Sequence, residues 1–158
     1  MNRDINCDMD CDMNWQVAAP FIHPHTVQAD ELDFLGHVNN KSYLTWIEHV
    51  SWQHARSVGI SHELQRAENR IMAVYENCMH YLASCYAGEE LLIATWIGKQ
   101  IGCCRRERHF QIIRKRDQKT VFTAQAVYVC IDLTSHQPRR IPKAFIKPYQ
   151  TSLIKPST

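Results

Sequence analysis

Several signatures are missing from this sequence, and each absence removes a class of protein. The 158 residues carry a formal net charge of only +2, so no strong field of one sign calls for nucleic acid or a charged surface. Basic clusters occur at Arg105-Arg106, Arg114-Lys115-Arg116 and Arg139-Arg140, each short enough to read as a solvated strand end. No apolar run approaches the ~18 residues that a transmembrane helix needs. Residues 1–12 carry aspartates where a signal peptide needs an apolar core, so no membrane association and a cytoplasmic location are expected. There are no internal repeats and no low-complexity linkers. A phosphate-cradling Gly-rich loop, a Ser-His-Asp order and a metal motif are also missing, and chemistry without a metal or cofactor is expected. The seven cysteines are odd in number. Cys78, Cys85, Cys104 and Cys130 fall in or beside strand-like segments, which favours buried free thiols over a disulfide framework. Cys7 and Cys11 stand among aspartates, but no second ligand pair follows at a zinc-like spacing.

What is present is an ordinary globular composition, 45% hydrophobic and 22% charged, with enough chain for one domain and a real core. Residues 1–15 have no hydrophobic period and read as a loose polar tail ahead of a single domain at 16–158. Residues 21–27 read as a short strand, with Pro24 pointing to an edge or a bulge. A helix is expected from about Asn40 to Val58, ended by Gly59. At 100° per residue, Tyr43, Trp46, Ile47, Val50 and His54 form one broad apolar arc, and Leu44, Ala55 and Val58 widen it. Only Thr45, His49, Gln53 and Arg56 make a purely polar arc, so most of this helix should be surrounded by protein. Glu48 falls between Leu44 and Trp52 on the wheel and is expected to be half-buried. After a connector at 60–69 come strand-like segments at 71–84, 91–98, 103–114 and 120–133. Turns at 86–90, 98–102 and around Asp117-Gln118 punctuate them. Their hairpin-length turns argue for consecutive antiparallel neighbours. The layout is α+β: one long central helix wrapped by an antiparallel sheet of about five strands.

The most informative stretch is residues 30–48. An acidic turn passes through Gly36 into the first turn of the helix, which carries Asn39, Asn40 and Ser42, all good capping types. A helix N-terminus offers free N–H donors and partial positive charge, which polarise a carbonyl or hold an anion. Asp33 lies seven positions before Asn40, across a turn that can fold its carboxylate over those donors. That is a plausible hydrolytic site.

The pattern Asp33-x-x-Gly36-His37-Val38-Asn39-Asn40-x-x-Tyr43-x-x-Trp46-x-Glu48 resembles the signature of the 4-hydroxybenzoyl-CoA thioesterase family, whose fold is the hotdog fold. The segment ending in Ile141-Pro142 also resembles the family's closing segment, so the likeness covers about residues 20–145. The resemblance implies an acyl-CoA thioesterase that splits an acyl-CoA into a carboxylic acid and CoA. It implies Asp33 as base or nucleophile and the Asn40 N–H as the oxyanion donor, with Glu48 and His37 as further catalytic candidates. Gly36, Val38, Asn39 and Tyr43 are the implied substrate-binding positions. For Asn39 a capping duty, for His37 a packing duty and for Tyr43 a core position compete with those roles. Cationic groups for the CoA phosphates would come from Arg105, Arg106, Arg139, Arg140 or Lys143. Family members form dimers whose sheets join, so a homodimer or homotetramer is implied. The run His37-Val38-Asn39-Asn40 also resembles that of plant acyl-ACP thioesterases of the same fold. Two alternatives to the acyl-CoA reading therefore stand: an acyl-ACP thioesterase, and a non-catalytic acyl-thioester-binding protein. A hotdog dehydratase ranks below them.

Overall fold

The computed structural model describes residues 13–150; the Cys7/Cys11 segment lies outside them. A five-stranded antiparallel sheet is built from β1 (Phe21–Thr26), β2 (Arg70–Tyr81), β3 (Glu90–Ile101), β4 (Arg105–Arg114) and β5 (Lys119–Asp132), in the spatial order β1-β3-β4-β5-β2. The long helix α1 (Asn40–Ser57) packs on one face, α2 (His62–Ala67) leads into β2, and α3 (Lys143–Gln150) closes the described chain. This is the hotdog arrangement that the pattern of one helix and four long strands implies.

The main core joins Tyr43, Trp46, Ile47 and Val50 of α1 to Leu91, Ile93, Phe110, Ile112, Phe122 and Ala124 of the sheet. Val50, Leu91, Ile112 and Phe122 are all 0% exposed. The unbroken buried run of β3, Leu91–Trp96, apolar but for Thr95, has its reason on the other face. There Met13 is buried with Leu92 and Ile113, and Trp15 and Ile22 pack against them. Gln111 Nε2 donates to the Asn14 carbonyl, and the Gln16 amide donates back to Gln111 Oε1. Residues 13–15, assigned to the tail above, are thus the start of the packed structure. A strand buried on both faces reads as a continuous apolar run rather than an alternating one.

Three expectations need correction. β2 and β3 are consecutive but unpaired: β2 lies along β5, Ile71 opposite Ile131 and Tyr81 opposite Phe122, while β3 lies between β1 and β4. Residues 82–89 instead run across the end of the sheet. Leu82 and Ala83 donate to the Val121 carbonyl; at the β1 side the Gly88 amide donates to the Val27 carbonyl and the Val27 amide donates to the Glu89 carbonyl. Arg114 Nη1 donates to the Ser84 carbonyl while Nε and Nη2 bind the Asp117 carboxylate. Second, Gly98 does not stop β3. The strand continues to Ile101 through a register shift between Ile97 and Gln100, and a Cβ at Gly98 would stand 2.6 Å from His109 Nε2, so glycine is there for close approach. Gly102, at φ +62°, makes the turn. Third, two helices were not foreseen: α2 inside the 60–69 connector, and α3 beyond Pro142, where the chain was expected to close. Among the described residues Cys85 and Cys130 are buried free thiols as expected, but Cys78 is exposed.

Candidate active site

Leu32 and Val38 bridge as a short antiparallel pair, and the loop between them is held by its own backbone. The Asp33 amide donates to the His37 carbonyl at 2.7 Å and the Gly36 amide to the Asp33 carbonyl at 3.1 Å. Gly36 sits at φ +79° with open space around it, so it is required for conformation and not for room. The Asp33 carboxylate turns back on this loop. Its Oδ1 accepts from the Leu35 amide at 2.9 Å and the His37 amide at 3.2 Å, and Oδ2 has no partner among the described residues. Phe34 and Leu35 at the tip are 96% and 62% exposed.

Loop and helix are joined by a residue that the pattern did not single out, Glu31. Its backbone carbonyl accepts from the Asn39 amide and from Ser42 Oγ. Its carboxylate accepts from Trp46 Nε1 at 2.8 Å, from the Gln28 amide at 2.8 Å and pairs with His25 Nε2 at 2.9 Å. Burial alone would raise the Glu31 carboxyl, but the bonds from Gln28, His25 and Trp46 outweigh it and hold its pKa below the ordinary value. The one trace in the sequence is the Gln28-x-x-Glu31 spacing of a capping box, which closes here around a 3-10 turn at Ala29–Glu31.

Asn39 is the N-cap of α1: its Oδ1 accepts from the Lys41 amide at 3.0 Å. Asn40 is the first helical residue and is exposed, so its N–H has no acceptor within the helix. His37 is half-buried with its ring edge-on to Tyr86 at 5.2 Å, a packing position. Val38 is 5% exposed and its amide donates to the Cys85 carbonyl of the crossover. Tyr43 is 3% exposed and stacks on Phe122 at 4.9 Å. Burial pushes its hydroxyl far up. Within one chain, both lie in the main core.

Two groups of candidates lie elsewhere. Glu48 is exposed, not half-buried. It is about 12 Å from Asn40 along the axis, at ~1.5 Å per residue, and lines a cleft of about 240 Å³ between α1, β4, β5 and α3. The wheel placed it toward protein correctly, but the neighbouring space is this open cleft. The basic candidates Arg105 and Arg106 begin β4, whereas Arg114, which clamps the crossover beside the site, ends it; the strand spans roughly 30 Å at ~3.3 Å per residue. Arg139, Arg140 and Lys143 are exposed near Cys103, whose carbonyl accepts from the Ile141 amide. None of the five is brought to Asp33 within the chain.

With this geometry in place, residues 27–148 match the Thioesterase-like superfamily. The chain belongs to that superfamily. Over 114 residues, or 72% of the chain, it is 25% identical to the chloroplastic acyl-acyl carrier protein thioesterase ATL3 of Arabidopsis thaliana. The chain spans 59% of that relative's length. The fold is similar to Slr0204, a 1,4-dihydroxy-2-naphthoyl-CoA thioesterase from Synechocystis, with a TM-score of 0.75 at 17% identity, covering 84% of this chain and 96% of that one. It is also similar to SAV2348 from Staphylococcus aureus, solved in complex with CoA: TM-score 0.77, 17% identity, 87% and 86% covered. A third is YbaW, a probable thioesterase from Escherichia coli: TM-score 0.70, 21% identity, 85% and 99% covered.

Proposed function

We propose that the protein is an acyl-CoA thioesterase in which Asp33 drives attack on the thioester carbonyl and the Asn40 N–H receives the developing oxyanion. The observation that carries this is the division of labour within one carboxylate: Oδ1 is fixed by the Leu35 and His37 amides, leaving Oδ2 as the reactive oxygen. As a base, Oδ2 takes a proton from water, the hydroxide adds to the carbonyl, and collapse breaks the C–S bond and returns the proton to the CoA thiolate. As a nucleophile, it forms a mixed anhydride that water then opens. Both routes build negative charge on the same carbonyl oxygen, where a fixed N–H donor at a helix N-terminus is worth ~3–4 kcal/mol of barrier.

The edge strand β2 supports a homodimer formed by sheet continuation. Its outer backbone groups are unpaired, and Val74, Tyr75 and Tyr81 on it are 44%, 59% and 46% exposed, the kind of edge that invites a second strand. A second copy would also supply Glu48 and the distant cations that one chain holds away from its own Asp33. No helix among the described residues is long and apolar enough to cross a membrane, and we take the cytoplasm as the working location.

A second reading, hydrolysis of acyl-acyl carrier protein, is favoured by the likeness to the Arabidopsis acyl-acyl carrier protein thioesterase and by the exposed Phe34-Leu35 tip beside the site. Thiol release from short, medium, long and aromatic acyl-CoAs, run beside the same acyl groups on acyl carrier protein, tests both. Turnover of the CoA esters supports the first reading, and turnover of the carrier protein esters alone moves the substrate to the second. Binding of both without thiol release replaces the enzyme with a binding module.

A further inference from the structure

The cleft against the second half of α1 holds a charge that no ion pair among the described residues balances. Arg106 and Arg108 are two residues apart on β4, so both side chains face the same side of the sheet. Arg108 is 5% exposed and fully engaged: Nη1 donates to His54 Nδ1 and Thr95 Oγ1, and Nη2 donates to the Tyr149 hydroxyl, each at 3.0 Å. Arg106 lines the same cleft, yet its Nε and Nη1 are shut off from solvent and have no hydrogen-bond partner. These atoms carry three of the five N–H donors of the guanidinium fork. Among the described residues no carboxylate is paired with it. Glu107 faces the other way, toward Lys99 and His109, and Glu48, at the mouth, makes no ion pair with it. Unmet buried donors on a cation are costly; burial works against the ionised form of Arg106, Tyr149 acts the other way, and the Arg108 charge adds to the effect of burial. A native interior seldom keeps such a group without a use for it.

Most of the remaining lining is apolar, with Ser51, Gln65 and Glu48 as further polar side chains. Trp52, Met72, Ile97, Tyr128 and Phe145 form the walls of the cleft. At about 240 Å³ it is smaller than the ~300–1,000 Å³ of drug-sized sites, which suits one ring or a medium-length chain. We infer that this cleft is a binding site for a carboxylate carried on a small apolar body, with the Arg106 fork as its anion partner. Planar carboxylate and guanidinium match in a bidentate pair, and the apolar walls take the hydrocarbon. Such a carboxylate has two sources: a free carboxylic acid, or the far end of a dicarboxylic acyl group whose other end is the thioester.

Calorimetry on the full chain tests this without any turnover, so the result is independent of the hydrolase reading. Octanoate and benzoate should bind the Asp33→Asn protein saturably, octanol should bind at least tenfold more weakly, and Arg106→Gln should weaken octanoate binding tenfold or more. Arg106→Lys, which keeps the charge and loses the fork, should fall between. If the source is the substrate, suberoyl-CoA binds Asp33→Asn tighter than octanoyl-CoA and Arg106→Gln removes the margin. Equal binding of the two esters, with octanoate still bound, assigns the site to the free acid. Arg106→Gln should also melt no lower than the wild type in the absence of ligand, because it removes an unpaired buried charge. The proposal is overturned if neither acid nor suberoyl-CoA shows Arg106-dependent binding, or if ligand-free Arg106→Gln loses several degrees of Tm.

Discussion

The two ends of α1 handle buried polar groups in opposite ways. At the N-terminal end the groups that hold the loop in shape are satisfied, Glu31 by Trp46, Gln28 and His25, Asn39 by Lys41, and one oxygen of Asp33 by two amides, while the second Asp33 oxygen and the Asn40 N–H, the groups proposed to react, stay open. At the C-terminal end one arginine, Arg108, is satisfied and its neighbour Arg106 is not. A pre-organised reaction site benefits from a closed hydrogen-bond network, since its donors and acceptors need no rearrangement as charge develops. A site that waits for a charged ligand carries an unmet group until the ligand arrives.

Substitutions at the two ends should therefore differ in kind. The largest effect is expected from Asp33→Asn, because amide Oδ1 keeps the two loop bonds while the reactive oxygen is lost. Turnover should fall by about 10²–10⁴, the usual share of a positioned base, with Tm nearly unchanged. Arg108→Met should cost about 3–5 kcal/mol in urea unfolding, as expected for breaking a buried charged network. It removes the donor to His54, Thr95 and Tyr149 together. Glu31→Gln should cost about 1–3 kcal/mol and lower turnover by loosening the loop over Asn40. Gly36→Ala should be the mildest, about 1 kcal/mol, since only the positive φ opposes it.

Acid should separate the ends as well. Burial, then the Arg108 charge, drives the pKa of His54 down to about 3. The unfolded chain binds a proton near pH 6.5 that the folded chain refuses, so stability falls as pH drops below ~6.5 and keeps falling toward 3. Between pH 6.5 and 4 the loss is about 3 kcal/mol. Glu31 adds to this only below its unfolded pKa of ~4.3, where its lowered folded value begins to cost stability. His54→Asn, which keeps an acceptor for Arg108, should flatten the upper part of the acid profile and leave the part below ~4.3 in place.

Much of this was legible in the residues. The span of α1, its Asn39 cap, the Gly59 stop and the four long strands follow from period and capping chemistry. Strand order was not, because the alternation in β2 fits any partner. The choice of β5 depends on residues 82–89 spanning the end of the sheet under the Arg114 clamp. α2 and α3 are too short for a helical period to appear, and α3 contains Pro148, which argues against a helix on local grounds. Among the candidate site residues, spacing alone marked the Gly36 turn and the Asn39 cap, and the structure shows both. Glu31 was missed because its role rests on a contact with Trp46, fifteen positions away. Glu48 was misjudged because a helical wheel gives direction and not whether the space in that direction is filled.

The most direct measurement of the central claim is acyl-CoA thiol release by Asp33→Asn beside the wild type, with Tm recorded on the same samples. A loss of two orders of magnitude or more at an unchanged Tm is the predicted result. Wild-type rates in a folded Asp33→Asn would contradict it and move the chemistry to Glu48 or His37.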